Sequence, residues 1–379
     1  MRKILFVNDE LSVGGVSTVL LNLLDALDKN KYDIYLLILN KHGKDYDNLP
    51  PYIHVLNTTP FFDVCDIPVK ECLKLGFGKF VKKLSFFVLI KTGLINRSIR
   101  KERIKMNMPV FDVEVAFKEG ISSIFVANSN CKRKINWVHS DYSVMNYSKN
   151  YMKTMAETFK RFDMNVAVSR VAMNSFKEIF NVERIVTIHN ILNVKSIKSK
   201  MNENIELEKK EHLKLVTVGR LHPQKSYDRL LNVVKRLNDC KYVFNLDVIG
   251  DGPLRDDLLK QKEELKLGNV NFLLEKQNPF PYMKNSDLFV LSSLYEGLPT
   301  VDFESFICGT PVLATKVAGV DEQIDESNGI IVDNSEDGLF YGLKDLIENS
   351  NKIYNMKLNL KEYNYENEEI IHQLDELFL

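Results

Sequence analysis

Short apolar, β-rich runs alternate with stretches of helical periodicity along the whole chain. KILFVN at 3–8 precedes a helix from about Ser17; YDIYLLIL at 32–39, FDVEVAF at 111–117, KINWVH at 134–139 and MNVAVS at 164–169 follow. A polar, Lys/Glu-rich stretch at 193–211 interrupts the alternation, which restarts with HLKLVTVG at 212–219. It then continues through VFNLDVIG (243–250), NVNFLL (269–274), SDLFVLSS (286–293), TPVLAT (310–315) and GIIV (329–332). Strand alternating with helix predicts parallel sheets with right-handed crossovers. The pattern therefore predicts an α/β chain of two Rossmann-like domains, 1–190 and 191–362, with 193–211 as linker. In residues 363–379 the apolar positions Ile370, Ile371, Leu374, Leu377 and Phe378 recur at helical spacing and need a partner surface.

Doubly wound sheets bind ligands in the crevice beyond the carboxyl ends of their strands, so the chemistry is sought there. After the first strand, SVGGVST offers Gly14 and Gly15 for close backbone approach, and Ser17 or Thr18 as a helix cap. After the first strand of the second domain, VGRLHPQKS places Arg220 and Lys225 near a helix start, a pairing suited to a diphosphate. Gly250 and Gly252, at the next strand end, leave room for a base or sugar. The fullest signal is YEGLPTVDFESFICGTPV: Glu296 in the loop, Gly297, Leu298, Pro299, Thr300 and Val301 supplying backbone groups at a helix start, and Glu304 eight residues after Glu296. Carboxylates so placed accept sugar hydroxyls while the amides between them receive phosphate. Each glycine loop also reads as a tight turn, and each charge as a solvated one.

Composition narrows the class. With 45% hydrophobic and 27% charged residues among 379, the chain is globular. The opening MRKILFVNDE is too short an apolar run for a signal peptide, and 84–95, the longest apolar stretch, is interrupted by Lys91, so a cytoplasmic chain without a membrane span is expected. Five cysteines without Cys-x-x-Cys spacing read as reduced thiols, not as a zinc site. No Gly-x-Gly-x-x-Gly or P-loop is present, which argues against a nicotinamide dehydrogenase or a P-loop nucleotidase.

The Gly219-Arg220 and Lys225 set, the GDGP turn, and EGLPTVDFE followed by CGTPV resemble a retaining glycosyltransferase of family 4, with the GT-B fold. GGVST, WVHSD, VAVS and IHN extend the resemblance over nearly the whole chain. It is similar in particular to bacterial transferases that build capsular, lipopolysaccharide or exopolysaccharide units. Asp302 departs from it, standing in a run that is more apolar in that family. The resemblance implies two Rossmann-like domains facing a cleft, the last helix returning to the N-terminal domain, and a nucleotide sugar, by family habit UDP-linked, as donor. Arg220 and Lys225 would then neutralise the diphosphate, Glu304 take the ribose, Glu296 hold the donor sugar with the amides of 297–301, and His139 stand beside the reaction centre. No cofactor and no metal are implied, since cationic side chains replace the ion. A GT-B epimerase or hydrolase, or a non-catalytic partner subunit, is the alternative.

The net charge of zero hides an asymmetry of +9 in residues 1–190 against −9 in the remainder. Residues 70–105 alone hold eleven basic and two acidic residues, interleaved with Leu73, Leu75, Phe77, Phe80, Val81, Leu84, Phe86, Phe87, Val88, Leu89 and Ile90. That composition suits a lipid surface better than a nucleic acid, so peripheral attachment to the inner face of the membrane and a lipid-linked saccharide acceptor are expected. The alternative is a helix whose apolar residues face the core.

Overall fold

The computed structural model describes residues 1–379 apart from 12, 13, 41–48, 66, 68, 146, 206–211, 275 and 277. Ser12 and Val13 of the first loop and the end of the expected linker thus lie outside the described residues. The chain forms two units, Met1–Leu192 with Asn367–Leu379, and Asn193–Glu366.

The first unit holds a parallel sheet of β1 (Arg2–Asn8), β2 (Tyr32–Ile38), β3 (His54–Leu56), β4 (Val113–Ala116), β5 (Arg133–Val138), β6 (Met164–Ala167) and β7 (Ile185–Thr187), in the order β3-β2-β1-β4-β5-β6-β7. The second holds β8 (Leu213–Val218), β9 (Phe244–Ile249), β10 (Val270–Leu274), β11 (Leu288–Leu291), β12 (Val312–Thr315) and β13 (Gly329–Val332), in the order β10-β9-β8-β11-β12-β13. Both are α/β and doubly wound. Central strands read as unbroken apolar runs because helices cover both faces: Ile4 to Val7 and Leu288 to Val290 are fully buried. The three-residue strands β3 and β7 stand at the two edges of their sheet with exposed positions, and so carry no apolar run for a pattern to detect.

The polar stretch after residue 192 is not simply a linker. Its first part is the helix Val194–Lys200, where the Asn193 side chain accepts from Ser196 N at 3.0 Å and Ile197 is buried. Charge density there reflects an outer helix face that composition alone reads as loop.

The helix Asn367–Phe378 belongs to the first unit. Phe378 is fully buried, edge-on to Phe6 (centroids 6.0 Å apart) and to Tyr32 (5.9 Å). The Asp375 carboxylate accepts from Lys31 Nζ at 2.6 Å and Tyr32 OH at 2.7 Å, while Arg133 donates to the Leu377 carbonyl at 3.0 Å and Arg2 to that of Phe378 at 2.6 Å, supplying donors to the helix end. The Asn367 amide exchanges both bonds with the backbone of Leu192, at 2.7 and 3.2 Å. Phe378→Ala should therefore cost the first unit about 3–5 kcal/mol. Urea unfolding should show that transition at lower denaturant, with the second unit's transition unmoved.

Candidate functional site

The order of the second sheet reverses between β8 and β11, and the loops leaving those two strands are laced together. Beyond β8, Gly219 leads to a single 3-10 turn, Pro223–Lys225. A Cβ on Gly219 would come within 2.8 Å of the Tyr227 hydroxyl and 3.4 Å of Lys225 Cε, so the glycine makes space for the lysine stem. Lys225 Nζ donates to Glu296 Oε1 at 2.6 Å, and Ser293 Oγ donates to the same oxygen at 2.6 Å. Gln224 Nε2 donates to Glu296 Oε2 at 3.2 Å and to the Tyr295 carbonyl at 2.9 Å. Backbone contacts complete the lacing: Leu294 N to Gln224 O at 2.8 Å, and Ser292 Oγ to Lys225 O at 2.7 Å. Burial works against the Lys225 charge, but the Glu296 carboxylate beside it holds the ammonium above its ordinary pKa. Arg220 is exposed, with no ion pair among the described residues.

Glu304 lies half-buried on the helix Thr300–Ile307. Burial pushes its carboxyl up to about 7, against the pull of Lys225. Gly297, Leu298 and Pro299 are buried, and Thr300 and Val301 are half-buried. The loop is backed by a turn that pattern reading missed. Gly319 has φ +85°, and a Cβ there would meet Leu298 Cδ1 at 2.8 Å and the Gly297 carbonyl at 3.0 Å; the Gln323 amide donates to Pro299 O at 3.1 Å. The motif Cys308-Gly309-Thr310 ends the helix: Gly309, at φ +77°, donates to Phe306 O, and Thr310 N donates to Ser305 O, both at 2.9 Å. Asp302 is fully buried, and neither carboxyl oxygen has a hydrogen-bond partner among the described residues. Burial, with the Glu296 charge adding, drives its pKa well above the carboxylate range.

Two expectations need correction. Gly250 and Gly252 do not leave an open slot on the side a Cβ would occupy. A Cβ on Gly250 would lie 1.9 Å from the Gly219 carbonyl oxygen and one on Gly252 2.6 Å from that of Leu221, because the backbones leaving β8 and β9 run in contact. Nor do Ser17 and Thr18 cap the first helix. It begins at Gly15 with Gly14 at the cap position, Ser17 is buried within it, and Thr18 Oγ1 donates back to Gly14 O at 3.2 Å. A Cβ on Gly15 would meet nothing within 4 Å, so that helix start is open.

In the first unit, His139 follows β5 directly. Its Nε2 lies 2.8 Å from the Phe117 carbonyl, and burial with the Lys118 charge brings its pKa down to about 4. The ring is therefore neutral, carrying its proton on Nε2 and leaving Nδ1 as an acceptor.

Residues 198–367 match the family of glycosyl transferases group 1. That matched segment holds Arg220, Lys225, Glu296 and Glu304, whereas Gly14, Gly15 and His139 lie outside the match. An uncharacterised glycosyltransferase of Haemophilus influenzae is 27% identical over 93% of this chain and 92% of its own length. The O-antigen biosynthesis glycosyltransferase WbnH of Escherichia coli is 36% identical over 36% of this chain and 38% of its own. Several other curated relatives are also spanned over about half their length or less. Among solved structures, Anabaena HepE in complex with UDP-glucose has a TM-score of 0.72 at 17% identity, covering 99% of both chains. The fold class is GT-B, two Rossmann-like units.

The raised Glu304 pKa sets a testable sign in the second unit. Between about pH 4.5 and 7 the folded state holds a proton that the unfolded chain releases, so stability is greatest at the acid end and falls as pH rises. Glu304→Gln should flatten that fall in the second unit's urea midpoint. An unchanged slope would mean that Glu304 does not titrate there.

Proposed function

We propose that the chain is a retaining, metal-independent glycosyltransferase. It moves a hexose or N-acetylhexosamine from a nucleotide sugar, UDP-linked by preference, to a lipid-linked saccharide in bacterial surface-polysaccharide synthesis. The observation that carries the reading is the Lys225–Glu296 pair at the β8/β11 reversal, with exposed Arg220 on the same loop as Lys225 and Glu304 on the next helix. An arriving diphosphate competes with Glu296 for Lys225 and adds Arg220 as a second cation. Glu296, released, accepts donor-sugar hydroxyls, and Glu304 accepts those of the ribose. As the bond from the anomeric carbon to the phosphate oxygen breaks, both cations meet the charge growing on that oxygen. The acceptor hydroxyl attacks the same face, its oxygen bonds the anomeric carbon, and its proton passes to the departing phosphate. His139, neutral on this reading, hydrogen-bonds the sugar and takes no proton.

Arg220→Ala and Glu304→Ala should each cut transfer about 30-fold or more, the equivalent of ~2 kcal/mol for one lost charged contact. The product, followed by NMR, should keep the donor's anomeric configuration, and the rate should survive excess EDTA. Wild-type rates in both variants would remove the site assignment. Release of free sugar with no acceptor product would favour the hydrolase alternative.

A second observation bears on the acceptor. On the helix Phe77–Thr92, Phe86 and Lys83 face inward while Phe77, Val81, Leu84, Phe87 and Val88 are exposed, Phe77 by 76%, next to exposed Leu73, Leu75 and Leu94. The apolar set thus divides between core and surface. Not all the cations are free: Lys83 Nζ donates to Val64 O at 2.9 Å and Cys65 O at 2.8 Å, and Lys82 bonds Pro60 O. Lys74, Lys79 and Lys91 flank the exposed stripe. No helix among the described residues is long and apolar enough to cross a membrane. We read the stripe as lying in the interface of an anionic inner leaflet, its apolar side chains among acyl chains. The protein should co-sediment with phosphatidylglycerol vesicles, less at high salt, and Phe77→Ser with Lys79→Glu and Lys91→Glu should release it. Equal binding of that variant, or equal binding to neutral vesicles, overturns the membrane reading.

A further inference from the structure

In the first unit the strand order reverses between β1 and β4, which puts the crevice beyond the carboxyl ends of those two strands. The segment leaving β4 is Phe117-Lys118-Glu119-Gly120, and three of its features converge on His139. Glu119 Oε1 accepts the backbone N–H of His139 at 2.8 Å and that of Ser140 at 2.9 Å, the first two amides beyond the end of β5. The Phe117 carbonyl holds the imidazole Nε2 at 2.8 Å, and the Phe117 ring lies against the imidazole, centroids 5.0 Å apart. Gly120, at φ +119°, lets the chain turn into the next helix, where Asp9 at the end of β1 accepts Ser122 N at 2.9 Å. One short segment therefore grips His139 by both its backbone and its ring, and is itself anchored to β1.

We infer that Glu119 is a positioning residue for transfer: by clamping the His139 and Ser140 amides it fixes the ring against Phe117 and keeps Nδ1 as the hydrogen-bond-accepting edge. The inference rests on the reading above that His139 stands at the reaction centre. A single side-chain oxygen that takes two N–H donors fixes the two amides relative to each other. Burial raises the Glu119 pKa and the two amides pull it back, so the clamp holds as long as those bonds form. Without the carboxylate both amides lose their partner, the turn after β5 relaxes, and the ring is no longer held to a single tautomer.

The test is nitrogen-15 NMR of the histidines in the full chain, beside steady-state kinetics. In the wild type, His139 should show the Nε2–H tautomer and no titration above about pH 5. In Glu119→Ala it should show mixed tautomers with a midpoint moved towards the ordinary value, about 6.5. The same variant should lose kcat by about tenfold or more with the donor KM within about twofold, while Glu119→Gln, which keeps an acceptor oxygen, should restore both. Glu119→Asp, whose oxygen is withdrawn by one methylene, should give the same His139 shift to a lesser degree and serves if the alanine variant does not fold. A folded variant with wild-type His139 tautomer and midpoint overturns the clamp. A wild-type rate in His139→Ala overturns the reading of His139 while leaving the NMR result to judge the clamp.

Discussion

A parallel sheet covered by helices on both faces leaves little room for charge along its strands, where Glu114 and Asp247 are buried as the partners of Arg103 and Lys214, so the remaining charge collects where the strands stop. In both units the place where it collects is set by the strand order. The reversal between β8 and β11 splays two connections apart, and Lys225 and Glu296 occupy the gap at 2.6 Å. The reversal between β1 and β4 does the same for Asp9 and Glu119. Fold and chemistry are thus joined by topology: the same winding that buries Ile4–Val7 and Leu288–Val290 leaves a polar edge at each switch point.

At the second of these edges the charges are unequal in number. Three carboxyl groups, Glu296, Asp302 and Glu304, lie within the field of one half-buried ammonium. Only Glu296 is bonded to it, further held by Ser293 and Gln224. A half-buried ion pair of this kind adds little to stability, since the cost of removing two charges from water offsets their attraction. On the proposed function its value lies in readiness: Lys225 is already held at the strand ends, by a carboxylate that a doubly charged diphosphate would replace.

The strand runs were legible because central strands of such sheets are continuous apolar segments, and β1, β2 and β8–β13 fall within a residue or two of the pattern. The first sheet's edge strands, β3 and β7, were not, being three residues long and partly exposed. Arg220, Lys225, Glu296 and Glu304 stood out because Lys225 five residues after Arg220, and Glu304 eight after Glu296, match the motifs of the family that the sequence resembles. Gly319, Gln323 and Glu119 left no such mark. Gly319 matters for the space it leaves beside Leu298, Gln323 for one bond to Pro299 O, and Glu119 for two amides twenty residues along the chain. Contacts of that kind exist only once the backbone has folded. The basic segment shows the same limit in reverse: its composition suggested one uniform surface, but Lys82 and Lys83 turn out to be spent on carbonyls of the preceding loop.

Asp302 gains a meaning from this charge balance that its sequence position lacked. Ionised, it would give Lys225 a second counter-charge and, on the proposed function, set a further negative group where the diphosphate would bind. Fully buried and without a hydrogen-bond partner among the described residues, it is instead held well above the carboxylate range and enters the site as a neutral acid. Glu304, pushed to about 7, is also largely discharged below neutrality. The lysine consequently faces a single full counter-charge, that of Glu296, and one anionic ligand suffices to displace it. An apolar residue at 302 would leave the same balance without an unpaired acid in the core, which is why a run of apolar residues after the loop proline is compatible with the same chemistry.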